Sequence, residues 1–239
     1  MKTPKYTAQD HEQEQSKAQA LADQIQARNK ARGGAFMDWF EELYAGAKGD
    51  ASLIPWADEE PHEALVEWMA TAGQKQGGGK KALDVGCGLG DNAVFMAQNG
   101  YEVTAIDLSQ SAIDWAKKRF ADSGVNFRQV DLFQLPDDLV GQFDLVHETY
   151  TLQALPREVR PQLYKALTSL LAPNGRLLVI SRSRPEEVVP DGPPWELAKS
   201  ELDEFLKLGL EEVSVYEFEE VRPEGRLIPH WRIEYQKPC

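Results

Sequence analysis

From residue 82 onward, short apolar runs alternate with stretches of helical period. Residues 82–85, 103–106, 125–130, 143–147 and 176–181 are runs rich in Val, Ile, Leu and Phe, and they read as strands. Between them, 92–98 and the stretch after Ser109 carry apolar residues at helical spacing. Ala112, Ile113, Ala116 and Phe120 fall on one face, and Ser109 is placed to cap the helix. Residues 158–171 form a further helix with Leu163, Leu167, Leu170 and Leu171 inward, stopped by Pro173-Asn174-Gly175. Residues 195–207 are predicted helical. Residues 212–218 and 230–236 alternate as two strands of a terminal hairpin joined by a long loop. This order predicts an α/β protein with a doubly wound, seven-stranded, mostly parallel Rossmann-like sheet.

The first third is patterned differently. Residues 1–35 are polar, with six Lys/Arg against four Asp/Glu, and 12–32 are good helix formers with a thin stripe of Leu21 and Ile25. This is an N-terminal helical extension, either a solvated helix or a lid over a ligand, set off by a break at Gly33-Gly34 from a single domain over 36–239. Phe36, Trp39, Phe40 and Leu43 share one helical face. Ile54-Pro55-Trp56 is expected to be extended, since proline disfavours helix in the residue before it. Pro61 opens a helix through Ala64, Leu65 and Trp68, and a Gly/Lys-rich loop over 74–81 leads into the first strand.

Composition narrows the partners. A net charge of −13 with no basic cluster argues against nucleic acid. No apolar run approaches the ~18 residues of a membrane span, and the N-terminus lacks a secretory core. The two cysteines, Cys87 and Cys239, make no disulfide framework. A cytoplasmic protein with a small-molecule substrate, no nucleic acid, no membrane and no metal is the expectation. Cys87 reads as a small packing residue.

The candidate chemistry sits where the first strand ends. Asp84-Val-Gly86-Cys-Gly88-Leu-Gly90 is a glycine-rich turn, and the second strand ends in Asp107, seventeen residues after the last glycine. A dinucleotide fingerprint needs its third glycine one position later, where this chain has Asp91. Carboxylates at Asp84 and Asp91 would repel a pyrophosphate and attract an amino acid cation.

The pattern Asp-x-Gly-x-Gly-x-Gly followed by Asp107 resembles the cofactor site of class I S-adenosylmethionine-dependent methyltransferases, and the element order matches their sheet. The resemblance runs from about Trp39 to the C-terminus and is strongest over 83–180. It implies that Gly86, Gly88 and Gly90 let the backbone approach the methionine part of the cofactor. Asp84 would contact or orient its amino group, directly or through water. Asp107 would accept from both ribose hydroxyls, Leu108 would cover the adenine, and Asp131 and Leu132 would meet its edge. His147 to Thr149 would line the sulfonium end. Asp107 and Asp131 as turn caps, and Asp84 as a buried acid ordering the turn, are the structural alternatives.

Methyl transfer needs positioning and desolvation, and a base only where the nucleophile is protonated. By position, His147 is the base candidate or a hydrogen-bonded wall residue. Tyr150 donates to the acceptor or packs on it, and Arg182 and Arg184 hold a carboxylate or lie on the surface. Trp39-Phe-Glu-Glu-Leu-Tyr44 and Pro55-Trp56-Ala57 resemble the entrance region of thiopurine- and thiol-type methyltransferases, with Ala57 where that branch has Asp and Asp58 one position on. This puts Trp39 and Trp56 beside the substrate, or in a core capping the sheet. The implied reaction is S-adenosylmethionine-dependent methylation of a small thiol or other soft nucleophile, with S-adenosylhomocysteine as product. An N- or O-methyltransferase of a carboxylate-bearing metabolite is the alternative. A non-catalytic S-adenosylmethionine-binding protein and a nicotinamide-dependent oxidoreductase are the readings from other classes.

Overall fold

A computed structural model describes residues 8–32, 37–71, 77–222 and 225–239. Phe36, the Gly33-Gly34 break and residues 74–76 of the Gly/Lys-rich loop lie outside the described residues.

Seven strands form one sheet: β1 (Lys81–Val85), β2 (Glu102–Asp107), β3 (Asn126–Gln129), β4 (Phe143–Thr149), β5 (Leu171–Arg182), β6 (Glu211–Val221) and β7 (Leu227–Gln236). Their spatial order is β3-β2-β1-β4-β5-β7-β6. The strand pairs from β3 to β5 are parallel, and β7 runs antiparallel to both β5 and β6. The order reverses between β1 and β4, and a doubly wound sheet opens its ligand crevice at the carboxyl ends beside that switch.

The helices are α1 (Ala8–Ala31), α2 (Asp38–Ala47), α3 (Glu63–Ala70), α4 (Asp91–Gln98), α5 (Gln110–Arg119), α6 (Thr151–Ala154), α7 (Arg160–Leu170), α8 (Lys199–Leu202) and α9 (Glu204–Lys207). The sheet is covered on both faces, which is why its central strands are apolar throughout. On one face Leu83, Val85, Ile106, Val146 and Val179 pack with Leu163, Leu167 and Phe205. On the other, Ala82, Ala105, Leu145 and Leu178 pack with Leu65, Trp68, Met96 and Ile113. A third cluster joins Ala22 and Ile25 of α1 to Trp39, Leu43 and Tyr44 of α2 and to Ile54. The stripe on α1 is thus docked, with Ala18, Ala22 and Ile25 buried.

Four expectations need correction. Residues 195–207 are not one helix. Leu197 bridges Ser183 and exchanges backbone bonds with Arg182 and Arg184, so 195–198 extend beside β5 and only α8 and α9 remain. The terminal strands run further than expected and a short connection replaces the long loop. Helix α7 ends at Leu170, and the Pro173-Asn174-Gly175 stop lies within the span of β5, with Asn174 left-handed at φ 62. Of Ile54-Pro55-Trp56, Ile54 alone is extended, and the other two form a turn.

Candidate active site

The glycine turn closes β1 and starts α4. Gly86, Gly88 and Gly90 have φ of 65, 49 and 91, a left-handed region where a Cβ is strained. A Cβ on Gly86 would meet Thr151 Oγ1 at 2.3 Å, and one on Gly88 would meet the Tyr44 hydroxyl at 2.9 Å. Gly90 instead faces Phe127 and caps α4, so it shapes the turn without lining the cavity.

Asp107 lies beside this turn. Its Oδ2 accepts from Gly88 N–H and its Oδ1 from Ser109 N–H, each at 2.9 Å. Burial pushes its carboxyl up to about 6, against the pull of those two donors. Helix α2 is fixed over the site by Glu41, which accepts from Ser109 Oγ at 2.7 Å and from the Ser111 amide at 3.1 Å. Ser109 also caps α5 through Ala112 N–H. Asp91 is paired bidentately with Arg119 at 2.7 and 3.0 Å, so the repulsion expected from it is neutralised. Burial, with Asp107 and Asp84 nearby, pushes the Cys87 thiol well up, consistent with a packing role rather than a nucleophile.

One cavity of about 290 Å³ runs along the carboxyl ends of the strands. At the β1–β3 side its wall includes Gly86, Gly88, Asp107, Leu108, Leu132 and Phe133. At the β4–β6 side it includes Thr149, Tyr150, Arg182, Glu220 and Arg222, with His62 from the lead into α3. Trp39, Phe40, Tyr44 and Trp56 form a third wall. Trp39 stacks on Phe40 at 4.1 Å and meets Trp56 edge-on at 5.8 Å, and Trp56 Nε1 donates to the Tyr44 hydroxyl at 2.8 Å. Gln19, Ala22, Asp23 and Gln26 of α1 also line it, as do Asp58, Glu59 and Glu60 before α3 and Pro193 and Pro194 after β5.

Several candidates named from sequence sit elsewhere. His147 is fully buried, with Nδ1 2.7 Å from Asp84 Oδ1 and Nε2 2.8 Å from Thr149 Oγ1. Both ring nitrogens are engaged and neither reaches the cavity, so the geometry gives it no access to an acceptor proton. It holds Thr149, which does line the wall. Asp84 is 1% exposed and ties β1 to β4 through His147, and its Oδ2 is buried without a partner. Asp131 accepts from the Phe133 amide at 2.8 Å and from Gln134 Nε2 at 3.1 Å. It caps that turn outside the cavity, whose wall there is Val130, Leu132 and Phe133. Arg184 does not line the cavity. Its guanidinium is buried against Glu201 and the carbonyls of Pro185, Val188 and Glu196, tying down the proline-rich loop after β5. Arg182 does line the cavity, and no ion pair to it forms within 4 Å among the described residues.

Tyr44 lines the cavity as the entrance segment implied, whereas His62, Glu220, Arg222 and His230 were not foreseen from sequence. His62 and His230 converge on Tyr150, with His62 Nε2 at 2.9 Å and His230 Nε2 at 3.0 Å from its hydroxyl. Glu220 Oε1 also lies 3.0 Å from that hydroxyl. Histidine is scarce here, four in the chain, and the register of β7 places His230 opposite Arg182 at the end of β5. That register was the available signal. The approach of His62, 88 residues from Tyr150, left none.

The switch-point crevice, the glycine turn and the acid at the end of β2 define a Rossmann-like, S-adenosylmethionine-dependent methyltransferase. A family model described as thiopurine S-methyltransferase matches residues 47–231, and the chain belongs to that family. It is 28% identical over 175 residues to "Probable thiol methyltransferase 2" of Arabidopsis thaliana, covering 71% of this chain and 74% of the relative. It is 29% identical over 174 residues to "Thiocyanate methyltransferase 1" of the same plant, covering 70% and 73%. Among solved structures, a SAM-dependent methyltransferase from Methanosarcina mazei superposes with a TM-score of 0.61 at 18% identity. That match covers 75% of this chain and 99% of the other, and it speaks for the fold alone. No helix among the described residues is long and apolar enough to cross a membrane.

Proposed function

We propose that this enzyme methylates the sulfur of a small thiol, using S-adenosylmethionine, at the β4–β6 end of the cavity. The observation that carries the reading is the continuity of that cavity, from the glycine turn and Asp107 to a mixed aromatic and polar end at Trp56, Tyr150 and Arg182.

The residues present fit the nucleoside. Asp107 is a half-buried carboxylate with lone pairs for two ribose hydroxyls beyond the two amides it already accepts. Leu108, Leu132 and Phe133 offer an apolar slot for adenine. Gly86 and Gly88 present bare backbone on the cavity wall where a methionine chain would lie, and Asp84, buried behind that wall with an unpartnered Oδ2, favours an ammonium there by its charge. S-adenosylmethionine supplies an electrophilic methyl group with a good leaving group. The chain supplies alignment and a dry wall: Trp39, Phe40 and Trp56 exclude water from the reacting end. We read 36–239 as the methyltransferase domain and α1 as a lid, since α1 lines the cavity and, among its described residues, is joined to the rest through Ala18, Ala22 and Ile25.

The names of the plant relatives support a sulfur acceptor for this chain. Arg182 favours one further reading, an acceptor that also bears a carboxylate, methylated at N or O. The test is a methylation assay with S-adenosylmethionine against a panel of thiols, amines and carboxylates. Transfer to thiols supports the reading, and transfer confined to amines or carboxylates replaces it with the second.

A further inference from the structure

The polar end of the cavity contains a cluster that methyl transfer to an anion does not require. Tyr150 follows β4 in a left-handed conformation, φ 66, which is a genuine outlier for a bulky residue. That backbone aims its ring at the cavity wall, where its hydroxyl meets His62 Nε2, Glu220 Oε1 and His230 Nε2 within 3.0 Å.

The protons can be counted. His62 Nδ1 accepts from Ala64 N–H at 3.2 Å as the cap of α3, so its ring hydrogen is on Nε2 and points at the Tyr150 oxygen and at Glu220 Oε1, 3.1 Å away. His230 Nδ1 donates to the Ile228 carbonyl at 2.7 Å, so in the neutral ring Nε2 is a bare lone pair aimed at Tyr150. The single Tyr150 hydrogen has two acceptors, the Glu220 carboxylate, to which the hydroxyl donates at 3.0 Å, and His230 Nε2, while its oxygen takes a hydrogen from His62. Burial keeps His230 neutral by pulling it down to about 4. Burial works to raise Glu220, but the hydrogen bonds it accepts from His62 and Tyr150 outweigh it and hold that carboxyl below its usual range. Tyr150 itself is pushed well up by burial and by Glu220, so it stays a hydroxyl. The charged groups facing the cluster are Glu220 from β6, Arg182 from β5, Arg222 beyond β6 and Asp58 from the segment before α3, whose carboxyl burial pushes up.

We propose that Tyr150 relays the acceptor's proton to His230, and hence that the acceptor enters as a thiol still carrying its hydrogen rather than as a preformed anion such as thiocyanate. This rests on the sulfur-acceptor reading above. A thiol of pKa about 8.5 is only a few per cent ionised at neutral pH, so its proton needs a destination. The new carbon–sulfur bond forms as the carbon–sulfonium bond breaks. The thiol proton passes to Tyr150 Oη as the Tyr150 hydrogen passes to His230 Nε2. The resulting imidazolium faces Glu220 Oε2 at 3.6 Å, and Glu220, part exposed, hands the proton to solvent. Tyr150 is the catalytic residue in this scheme, and His230 acts through it.

The experiment compares turnover of 2-mercaptoethanol with that of thiocyanate, which brings no proton at sulfur, in the wild type, Tyr150→Phe and His230→Gln. Titration with S-adenosylhomocysteine verifies a folded cofactor end in each variant. The expected result is that the wild type methylates the thiol with a solvent deuterium isotope effect. Either variant should lower the thiol-to-thiocyanate rate ratio at least tenfold and lose that isotope effect. A ratio unchanged in both variants overturns the relay, because a structural role alone would depress both reactions alike. A wild type active on thiocyanate and inactive on thiols also overturns it. A wild type that binds S-adenosylhomocysteine yet methylates neither nucleophile sinks the sulfur-acceptor reading itself.

Discussion

At the scale of single residues the account rests on Asp107 and the turn it faces. Asp107→Ala removes two charge-assisted acceptors and should weaken S-adenosylhomocysteine binding by about 1.5–3 kcal/mol, roughly ten- to 150-fold by calorimetry. Because the free carboxyl sits at about 6, and ribose hydroxyls bond the ionised form, affinity should fall as pH is lowered through 6 and level off above it. Asp107→Asn should lose that pH limb, and an unchanged limb would assign it to another group. Gly88→Val places a branched side chain at φ 49, with its Cβ 2.9 Å from the Tyr44 hydroxyl, and should abolish measurable nucleoside binding. Retained binding would contradict the close-approach argument. The glycines and Asp107 were legible in the sequence because strand-turn-helix chemistry is local. The role of His147 was not: position after β4 is visible in a linear pattern, but the partners Asp84 and Thr149 that occupy its ring are not.

At the scale of elements, two pieces cover the cavity by different means. Helix α1 is held by Ala18, Ala22 and Ile25 and by the Arg28–Glu42 ion pair. Burying one isoleucine is worth about 1.5–3 kcal/mol. Ile25→Asp should therefore release α1 and speed S-adenosylhomocysteine dissociation in stopped-flow several-fold while the sheet keeps its melting temperature. A large drop in melting temperature would mean that α1 is part of the core and not a lid. The loop after β5 is held by charge. Glu201 takes Arg160 at 2.7 Å as well as Arg184, and Arg160 donates to the Trp195 carbonyl at 2.8 Å. Arg160 is 2% exposed, but Glu201 is part exposed and keeps Arg184, so Arg160→Ala removes a buried clasp without leaving a buried charge alone and should cost about 1.5–3 kcal/mol in urea unfolding. A loss under 1 kcal/mol would show the clasp to be decorative. Element type was readable wherever periodicity was strong, as in α5 and α7. It was misread over 195–198, where helix-forming residues are recruited to extend beside β5, a tertiary demand that local propensity does not record.

At the scale of the whole molecule, a sheet of order β3-β2-β1-β4-β5-β7-β6 brings residues far apart in sequence to one rim. The cofactor half of that rim comes from consecutive strands and was therefore legible. The acceptor half draws His62 from before the sheet, Tyr150 from its middle and Glu220 from its end, and could be assembled only once the chain was folded. The cavity shares the chain's negative balance, since Asp58, Glu59, Glu60, Asp107 and Glu220 line it against Arg182 and Arg222. The central claim is that one crevice holds the nucleoside at Asp107 and the acceptor at Tyr150. A crystal structure with S-adenosylhomocysteine bound tests it most directly. The account predicts both ribose hydroxyls within hydrogen-bond distance of the Asp107 carboxylate and the sulfur directed toward Tyr150 and Trp56. A nucleoside bound elsewhere, or a sulfur directed away from Tyr150, would contradict it.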